Sequence, residues 1–195
     1  MATTRRAEAM KENRARLIAA ARKAFAEKGF AAASMDELTA SVGLTRGALY
    51  HNFGDKLGLL AAVVAQVDSE IALRARERAA SAADDWSKLL AEGVAYIEMA
   101  LDPEVQRIVL LDGPAFLGDP SRWPSQNSCL EATRGILSEM MDNGLLKPVD
   151  IEAAARLLNG AALNAALWIA ASENPQGTVT KAIGAFTLWA SGRRA

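Results

Sequence analysis

The sequence predicts an all-α fold, and three observations lead to that prediction. Hydrophobic residues make up 51 % of the 195-residue chain, and alanine, the strongest helix former, is abundant among them. Apolar residues recur at spacings of three and four, whereas the strict alternation that marks β-strands is scarce. Capping residues and glycines divide this pattern into separate helices. A chain of this length forms one large domain or two small ones.

The first helix is predicted over about residues 11–28, and Gly29 is expected to end it. Three of its apolar residues, Ile18, Ala21 and Phe25, fall on one face at helical spacing. That face is expected to lie in the core.

A helix-turn-helix is predicted shortly after the first helix. Ser34 and Glu37 have the spacing of a capping box, so a helix is expected to begin directly after Ser34. Gly43 can adopt the left-handed conformation that ends this helix. Thr45 then caps a further helix, which is expected to run to about Asn52. The second helix of such a motif can enter the major groove of DNA.

The second helix of this motif carries a surface that suits contact with DNA. Arg46, Tyr50 and His51 are expected to point outward, and no acidic residue occurs between residues 43 and 54. A carboxylate there would be repelled by phosphate, whereas the helix N-terminus offers free N–H groups and a partial positive charge. Gly47 has no side chain, so the backbone can approach a base edge closely.

Residues 45–56, TRGALYHNFGDK, resemble the recognition segment of the TetR family of bacterial one-component transcriptional regulators. The preceding AFAEKGF at residues 24–30 resembles the end of that family's first helix. The resemblance covers about residues 14–64 and departs from the family at Thr39, where alanine is usual. Threonine is small, so we expect a local adjustment that keeps the motif.

This resemblance implies two domains within the all-α fold. Residues 1–55 are expected to form an N-terminal three-helix helix-turn-helix DNA-binding domain, and residues 56–195 a helical ligand-binding and dimerisation domain. The implied function is a repressor released from a palindromic operator by a small apolar ligand. Arg46 is expected to read base edges, Lys56 to contact phosphates and His51 to do either. The complete set of expected DNA contacts is Ser34, Thr45, Arg46, Gly47, Tyr50, His51 and Lys56.

The charge of the chain is unevenly distributed. Residues 1–60 hold ten Lys or Arg against six Asp or Glu, a net charge of +4, whereas the remainder carries −5. A basic end on an acidic body is typical of a protein that binds nucleic acid. The alternative is that the basic residues of the first helix are only a solvated, frayed terminus. Those residues are Arg5, Arg6, Lys11, Arg14 and Arg16.

The rest of the chain is expected to continue as helices. Their approximate ranges are 55–79, 84 or 85 through 97, 103–112, 125–143, 150–172 and 178–191. Residues 112–125 contain three of the six prolines and are predicted to form an irregular loop. Irregular segments inside a helical body are often functional. The loop is expected to hold Phe116 and Trp123 beside a ligand pocket.

Large apolar or adaptable side chains and a few amides are spread over the middle of the chain. A mostly apolar pocket with a few polar groups is the usual small-molecule site, and the family resemblance implies one here. The alternative is that aromatic and methionine side chains at helical spacing are simply core. The candidate ligand-binding residues are Tyr96, Met99, Phe116, Trp123, Asn127, Met140, Asn164 and Trp168.

The two C-terminal helices predict a homodimer. Residues 153–171 are rich in alanine and also carry Leu157, Leu163 and Trp168, so this helix is apolar on most sides and must be buried on most sides. Together with the last helix it can form a four-helix interface with a second subunit. The alternative is that both helices are core of a monomer.

The sequence offers little support for other classes of function. His51 is the only histidine and Cys129 the only cysteine, so no transition-metal or disulfide site is expected. Glycine-rich nucleotide motifs and the G-x-S-x-G nucleophile motif are absent, so neither an enzyme nor a cofactor is expected. No signal peptide or membrane-spanning segment is found, which predicts a cytoplasmic protein. A helical enzyme and a DNA-binding repressor without a ligand remain the alternatives.

Overall fold

The computed structural model describes residues 2–191, with side chains from residue 7 onward, and confirms the all-α prediction. The α-helices in this part of the chain are α1 (Ala2–Ala32), α2 (Met35–Ser41), α3 (Arg46–Phe53), α4 (Lys56–Ala79), α5 (Asp85–Met99), α6 (Pro103–Val105), α7 (Gly113–Leu117), α8 (Pro124–Asp142), α9 (Ile151–Ala170) and α10 (Pro175–Ser191). A π-helical segment, Gln106–Asp112, joins α6 to α7, and a 3₁₀ turn, Pro120–Arg122, precedes α8.

Side-chain caps fix where many of these helices begin. Each capping oxygen accepts a hydrogen bond from the backbone N–H three residues ahead, which satisfies a group that has no partner within the helix. The residues that do so at α2, α3, α4, α5 and α9 are Ser34, Thr45, Asp55, Asp84 and Asp150. The predicted caps of the helix-turn-helix are thereby confirmed, and Asp84 rather than Asp85 caps α5.

The first helix is longer than predicted but breaks at the predicted residue. Helix α1 begins at Ala2, and its backbone leaves the helical conformation at Gly29, with φ 78° and ψ 162°. Ala21 and Phe25 are fully buried, as expected, together with Leu17. Ile18 is only partly buried because the buried face is centred one residue earlier.

The predicted irregular loop over residues 112–125 is wrong. Pro114, Pro120 and Pro124 each occupy the first turn of a helical element, where the missing N–H has no intrahelical partner to lose. These prolines therefore start helices instead of preventing them. Trp123 is buried and packs against Gly113, whose position leaves no room for a side chain because a Cβ would lie 2.6 Å from the indole.

Helix α4 packs against both the helix-turn-helix and the body of the structure. Near its start it packs against α1 and α3, and farther along it packs against α5 and α8. Val63, Val67 and Ile71 face the core at helical spacing, as predicted. Helices α8, α9 and α10 complete the body around α5. One continuous helix thus extends from the helix-turn-helix into the body.

Two polar contacts tie α1 to the body. Arg22 donates two hydrogen bonds to Glu104, at 2.7 and 2.8 Å, and one to Glu70 of α4 at 2.8 Å. These bonds raise the pKa of Arg22 and lower that of Glu70. Asp112, which is buried, accepts the backbone N–H of Phe30 at 2.7 Å. Hydrogen bonds to a charged group of this kind contribute about 1.5–3 kcal/mol each.

The Gly29→Ala substitution is expected to destabilise the protein by about 1–3 kcal/mol, because this backbone conformation is essentially restricted to glycine. The new Cβ would also lie 1.8 Å from Nη2 of Arg107 and would displace that side chain. Urea unfolding followed by circular dichroism measures the change. Gly135→Ala is the control: it lies in α8 with open space around it, so it should stabilise the helix by up to about 1 kcal/mol. Equal effects of the two substitutions would contradict the strain at Gly29.

Candidate DNA-binding surface and ligand pocket

The turn between α2 and α3 has the expected geometry. Gly43 adopts φ 64°, and the N–H of Leu44 donates to the carbonyl of Thr39 at 2.9 Å. Thr39 is buried, yet its hydroxyl donates to the carbonyl of Met35 at 2.9 Å. Threonine therefore keeps the motif, as expected, and its buried hydroxyl is hydrogen-bonded.

Helix α3 presents one face to the core and the other to solvent. Leu49 is buried, whereas Arg46, Gly47, Tyr50 and His51 are exposed. A Cβ on Gly47 would meet only Oγ1 of Thr45, at an ordinary 3.7 Å. The fold therefore does not require glycine at this position.

Arg46 has intramolecular partners in this DNA-free structure. Its guanidinium donates to the Tyr50 hydroxyl at 3.3 Å and lies 3.4 Å from the carboxylate of Asp36 on α2. The Tyr50 contact and then the charge of Asp36 raise the pKa of Arg46. Sequence reasoning missed Asp36, since it considered only the acids within α3. The contact with Asp36 holds the Arg46 side chain over the turn between α2 and α3.

Ser34, Thr45 and Lys56 also combine internal contacts with free donors. The two hydroxyl oxygens accept backbone N–H groups as caps, and each hydroxyl hydrogen can still be donated to a phosphate oxygen. The Lys56 ammonium donates to the carbonyl of Ala31 at 3.3 Å and lies 4.6 Å from the Phe30 ring centroid. An ammonium has three donors, so this bond leaves two for DNA.

Two basic residues of α1 are bound to the helix-turn-helix. Arg14 donates to a carbonyl oxygen at the end of α3, 3.1 Å away, and stacks over Phe53. Arg16 donates to a carbonyl at the end of α2. Cations are favourable at helix C-termini, where the carbonyls carry partial negative charge. These two arginines are therefore fixed parts of the surface, whereas the side chains of Arg5 and Arg6 lie outside the described residues.

A cavity of about 90 Å³ lies in the body between α4, α5, α8, α9 and α10. Its apolar lining is Ala72, Ala75, Leu89, Gly93, Ala132, Ile136, Leu158, Ala162 and Phe186. Its polar lining is Arg76, Glu92, Tyr96, Gln126, Cys129, Thr133 and Asn159. A mostly apolar wall with a few polar groups is the usual composition of a small-molecule site.

Tyr96 is the one predicted ligand-binding residue in this lining. The other seven lie outside it: Met99, Phe116, Trp123, Asn127, Met140, Asn164 and Trp168. Met140 and Trp123 are core residues, and Phe116 packs against Phe30 at 4.5 Å between ring centroids.

The amides that the structure places in the lining are Gln126 and Asn159. Asn127 and Asn164 are exposed instead. Gln126 and Asn127 are adjacent on α8, and Gln126 is the one that shares the helical face of the buried Leu130, Thr133 and Leu137.

Within the described part of the chain, every helix is too short or too polar to cross a lipid bilayer. The same residues contain no group of three or more His, Cys, Asp or Glu side chains arranged to hold a metal ion.

Comparison with known families gives two matches. Residues 17–63 match the family described as bacterial regulatory proteins, tetR family. Residues 86–193 match the tetracyclin repressor-like C-terminal domain. The first match contains the helix-turn-helix, and the second covers α5 to α10 and with them most of the cavity.

Individual proteins agree with these matches. A TetR-family transcriptional regulator from Pectobacterium atrosepticum has a crystal structure with a TM-score of 0.87 and 44 % identity, covering 96 % of this chain and 97 % of that one. The HTH-type transcriptional repressor AcnR of Corynebacterium glutamicum is 30 % identical over 152 residues, which cover 71 % of this chain and 73 % of that protein. The transposon Tn10 TetC protein of Escherichia coli is 29 % identical over 153 residues, which cover 74 % and 73 %.

The Gly47→Ala substitution is expected to separate folding from DNA binding. Alanine should stabilise α3 by about 0.5–1 kcal/mol, because the site has room for a methyl group. The same methyl group should weaken DNA binding by about 1–3 kcal/mol, the range for losing one specific contact. Urea unfolding and fluorescence anisotropy with labelled DNA measure the two effects. Gly135→Ala should match the stabilisation and leave DNA binding unchanged, and unchanged binding of Gly47→Ala would refute the close approach.

Proposed function

The chain belongs to the TetR family of DNA-binding transcriptional regulators, and from that premise we propose that it is a homodimeric repressor released from a palindromic operator by a small, largely apolar effector. Residues 1–55 form the DNA-binding domain in this proposal, and residues 56–195 the effector and dimer domain. The observation that carries the proposal is the position of α4, which follows α3 directly, packs against it and reaches the cavity with Ala72, Ala75 and Arg76.

Helix α4 is the expected path between effector and operator. It has 24 residues and is about 36 Å long at 1.5 Å per residue. A shift of its cavity end moves its start, because a helix of this length behaves as a rigid rod. An effector that binds the shifted arrangement more tightly therefore lowers operator affinity, and the operator lowers effector affinity by the same factor.

The exposed face of α3 supplies the proposed operator contacts. Arg46 reads a base edge, Tyr50, Thr45 and Lys56 bind phosphates, and His51 reaches either. Ser34 completes the set of DNA contacts, and Gly47 lets the backbone of α3 approach a base edge closely. To reach a base, Arg46 has to break its exposed ion pair with Asp36. A base edge of the operator then replaces the Asp36 carboxylate as the partner of the guanidinium.

Footprinting on genomic fragments tests the operator assignment. The unmodified protein should protect palindromic sites, and the double variant Arg46→Ala with Tyr50→Ala should lose them, since a base contact of this kind contributes about 1–3 kcal/mol. Arg122→Ala removes an exposed arginine far from α3 in sequence and should leave the footprint unchanged. An unchanged footprint of the double variant would contradict the assignment.

Exposed apolar residues of α9 and α10 support the dimer. Leu157, Trp168 and Leu188 are 54, 51 and 79 % exposed. Leu157 and Trp168 are eleven residues apart, which places them on the same side of α9. Gly160 of α9 and Gly184 of α10 face open space, so a second helix can approach both closely.

Two copies that pair through these helices form a four-helix interface. A two-fold axis then places the two α3 helices to read half-sites about 34–36 Å apart. Ala162 of α9 faces the cavity inside the subunit and is not part of this interface. A charge there would test folding instead of assembly.

The Leu188→Glu substitution is expected to split the dimer without unfolding the subunit, because this side chain is largely exposed in the single chain. Sedimentation velocity at micromolar concentration should show monomers, and tight operator binding should be lost while half-site binding remains weak. Leu73→Glu changes an apolar side chain of α4 that is 55 % exposed and should leave a dimer. A Leu188→Glu dimer, or an unmodified protein that sediments as a monomer, would contradict the proposed interface.

The effector is expected to bind in the cavity. Tyr96 remains the predicted ligand contact from the sequence, and Gln126, Thr133 and Asn159 supply the other polar groups. Thr133 and Asn159 are already hydrogen-bonded to one another at 3.0 Å. Most of the remaining wall is alanine, leucine, isoleucine and phenylalanine, which suits a largely apolar molecule.

A further inference from the structure

A carboxylate without a cationic partner lies behind the cavity wall. Asp68 of α4 is only 2 % exposed and makes no ion pair with any described residue. Its two oxygens accept hydrogen bonds from Nε2 of Gln126, at 3.2 and 3.4 Å, and it is also bonded by Ser125. Burial raises the pKa of Asp68. An isolated buried charge is costly, so its position calls for a functional explanation.

Tyr96 and Cys129 connect this carboxylate to the cavity. Both line the cavity, and after burial the charge of Asp68 is the next cause that raises the pKa of each. The Tyr96 hydroxyl is buried and makes no hydrogen bond of good geometry, although Gln126 lies beside it. Gln126 lines the cavity and covers Asp68 at the same time. Its amide is therefore the group that separates Asp68 from a bound molecule.

The other charges at the cavity offset one another. Glu92 and Arg76 both line it, and the charge of Arg76 lowers the pKa of Glu92, which burial raises. Arg76 is exposed and lies at the solvent side of the wall. Asp68, behind Gln126, is then the charge next to the cavity that pairs with no described cation.

We propose that the effector is a compact organic amine whose ammonium group displaces the Gln126 amide and pairs with Asp68. This inference rests on the proposed function of the cavity as the effector site. An ammonium supplies the missing cation and several donors, and the Tyr96 ring and hydroxyl offer it a π face and an acceptor. The apolar body of the molecule packs against the alanine, leucine and phenylalanine wall. At about 90 Å³ the cavity admits only a small body, since a cavity of about 150 Å³ holds benzene.

Pairing at Asp68 also explains how binding reaches the DNA-binding domain. Asp68 belongs to α4 and Gln126 to α8, and the bond between them is one of two side-chain hydrogen bonds that link these helices through Asp68, the other being with Ser125. An amine that replaces the amide breaks the Gln126 bond. Helix α4 then keeps only the Ser125 bond to α8 at this point and can shift along it.

Three probes of one shape and different charge, each smaller than benzene, test the inference: propylamine, 1-propanol and propionate. Isothermal titration calorimetry on the unmodified protein should show at least tenfold tighter binding of the amine than of the alcohol, and no binding of the anion. The amine, but not the anion, should also release operator DNA in an anisotropy assay. This ranking requires no variant.

The Asp68→Asn variant isolates the charge, because asparagine keeps an acceptor for Gln126. It should fold with an unchanged or higher Tm and bind the amine no better than the alcohol. Asp142→Asn removes an exposed carboxylate at the end of α8 and should keep the preference for the amine.

Equal binding of the amine and the alcohol, preference for propionate, no binding of any probe, or amine binding without operator release would each overturn the inference. Operator binding measured without any probe distinguishes a failure of the ligand assignment from a failure of the proposed function. If the protein binds operator but the amine fails, only the ligand class is wrong. If the protein binds no operator, the proposed repressor function itself fails.

Discussion

The orientation of the DNA-binding domain depends on the contact between α1 and the body. Arg22 reaches from α1 to Glu70 on α4 and to Glu104 beside the π-helical segment, and all three side chains are largely covered. Asp112 holds the backbone of Phe30 from the other side. Breaking one of these bonds would leave a partly buried charge without a partner, which costs more than the bond itself contributes. The three side chains are therefore expected to stay paired together. The angle between α3 and the body follows from this contact.

The π-helical segment connects the contact between α1 and the body to the cavity. It ends at Asp112, and Arg107 within it lies directly under Gly29, where any side chain would collide. π-Helical turns are frequent at functional sites because one extra residue per turn weakens the regular hydrogen-bond ladder. The segment also packs against α4 and α9, both of which line the cavity. The junction is therefore connected to the cavity through α4 and through this irregular segment.

Local signals in the sequence predicted the helix-turn-helix well and the lining of the cavity poorly. Ser34, Gly43 and Thr45 act within four residues of themselves, so their effects follow from spacing alone. The pocket depends on which face of α8 turns inward and on the partners of Asp68, which come from residues 57 or 58 positions away in the chain. The loop prediction after Asp112 was wrong because proline disrupts the middle of a helix but is well tolerated in its first turn.

The most direct test is the distance between the two helix-turn-helix units in the proposed dimer without DNA. A spin label at Ala40→Cys, on the exposed side of α2 and with Cys129→Ser to remove the native thiol, gives one label per subunit for double electron–electron resonance. If the Arg22 and Asp112 contacts fix the DNA-binding domain, the distance distribution is narrow before any DNA is added. A broad distribution that narrows only on operator would show that the domain swings freely, and it would contradict this account.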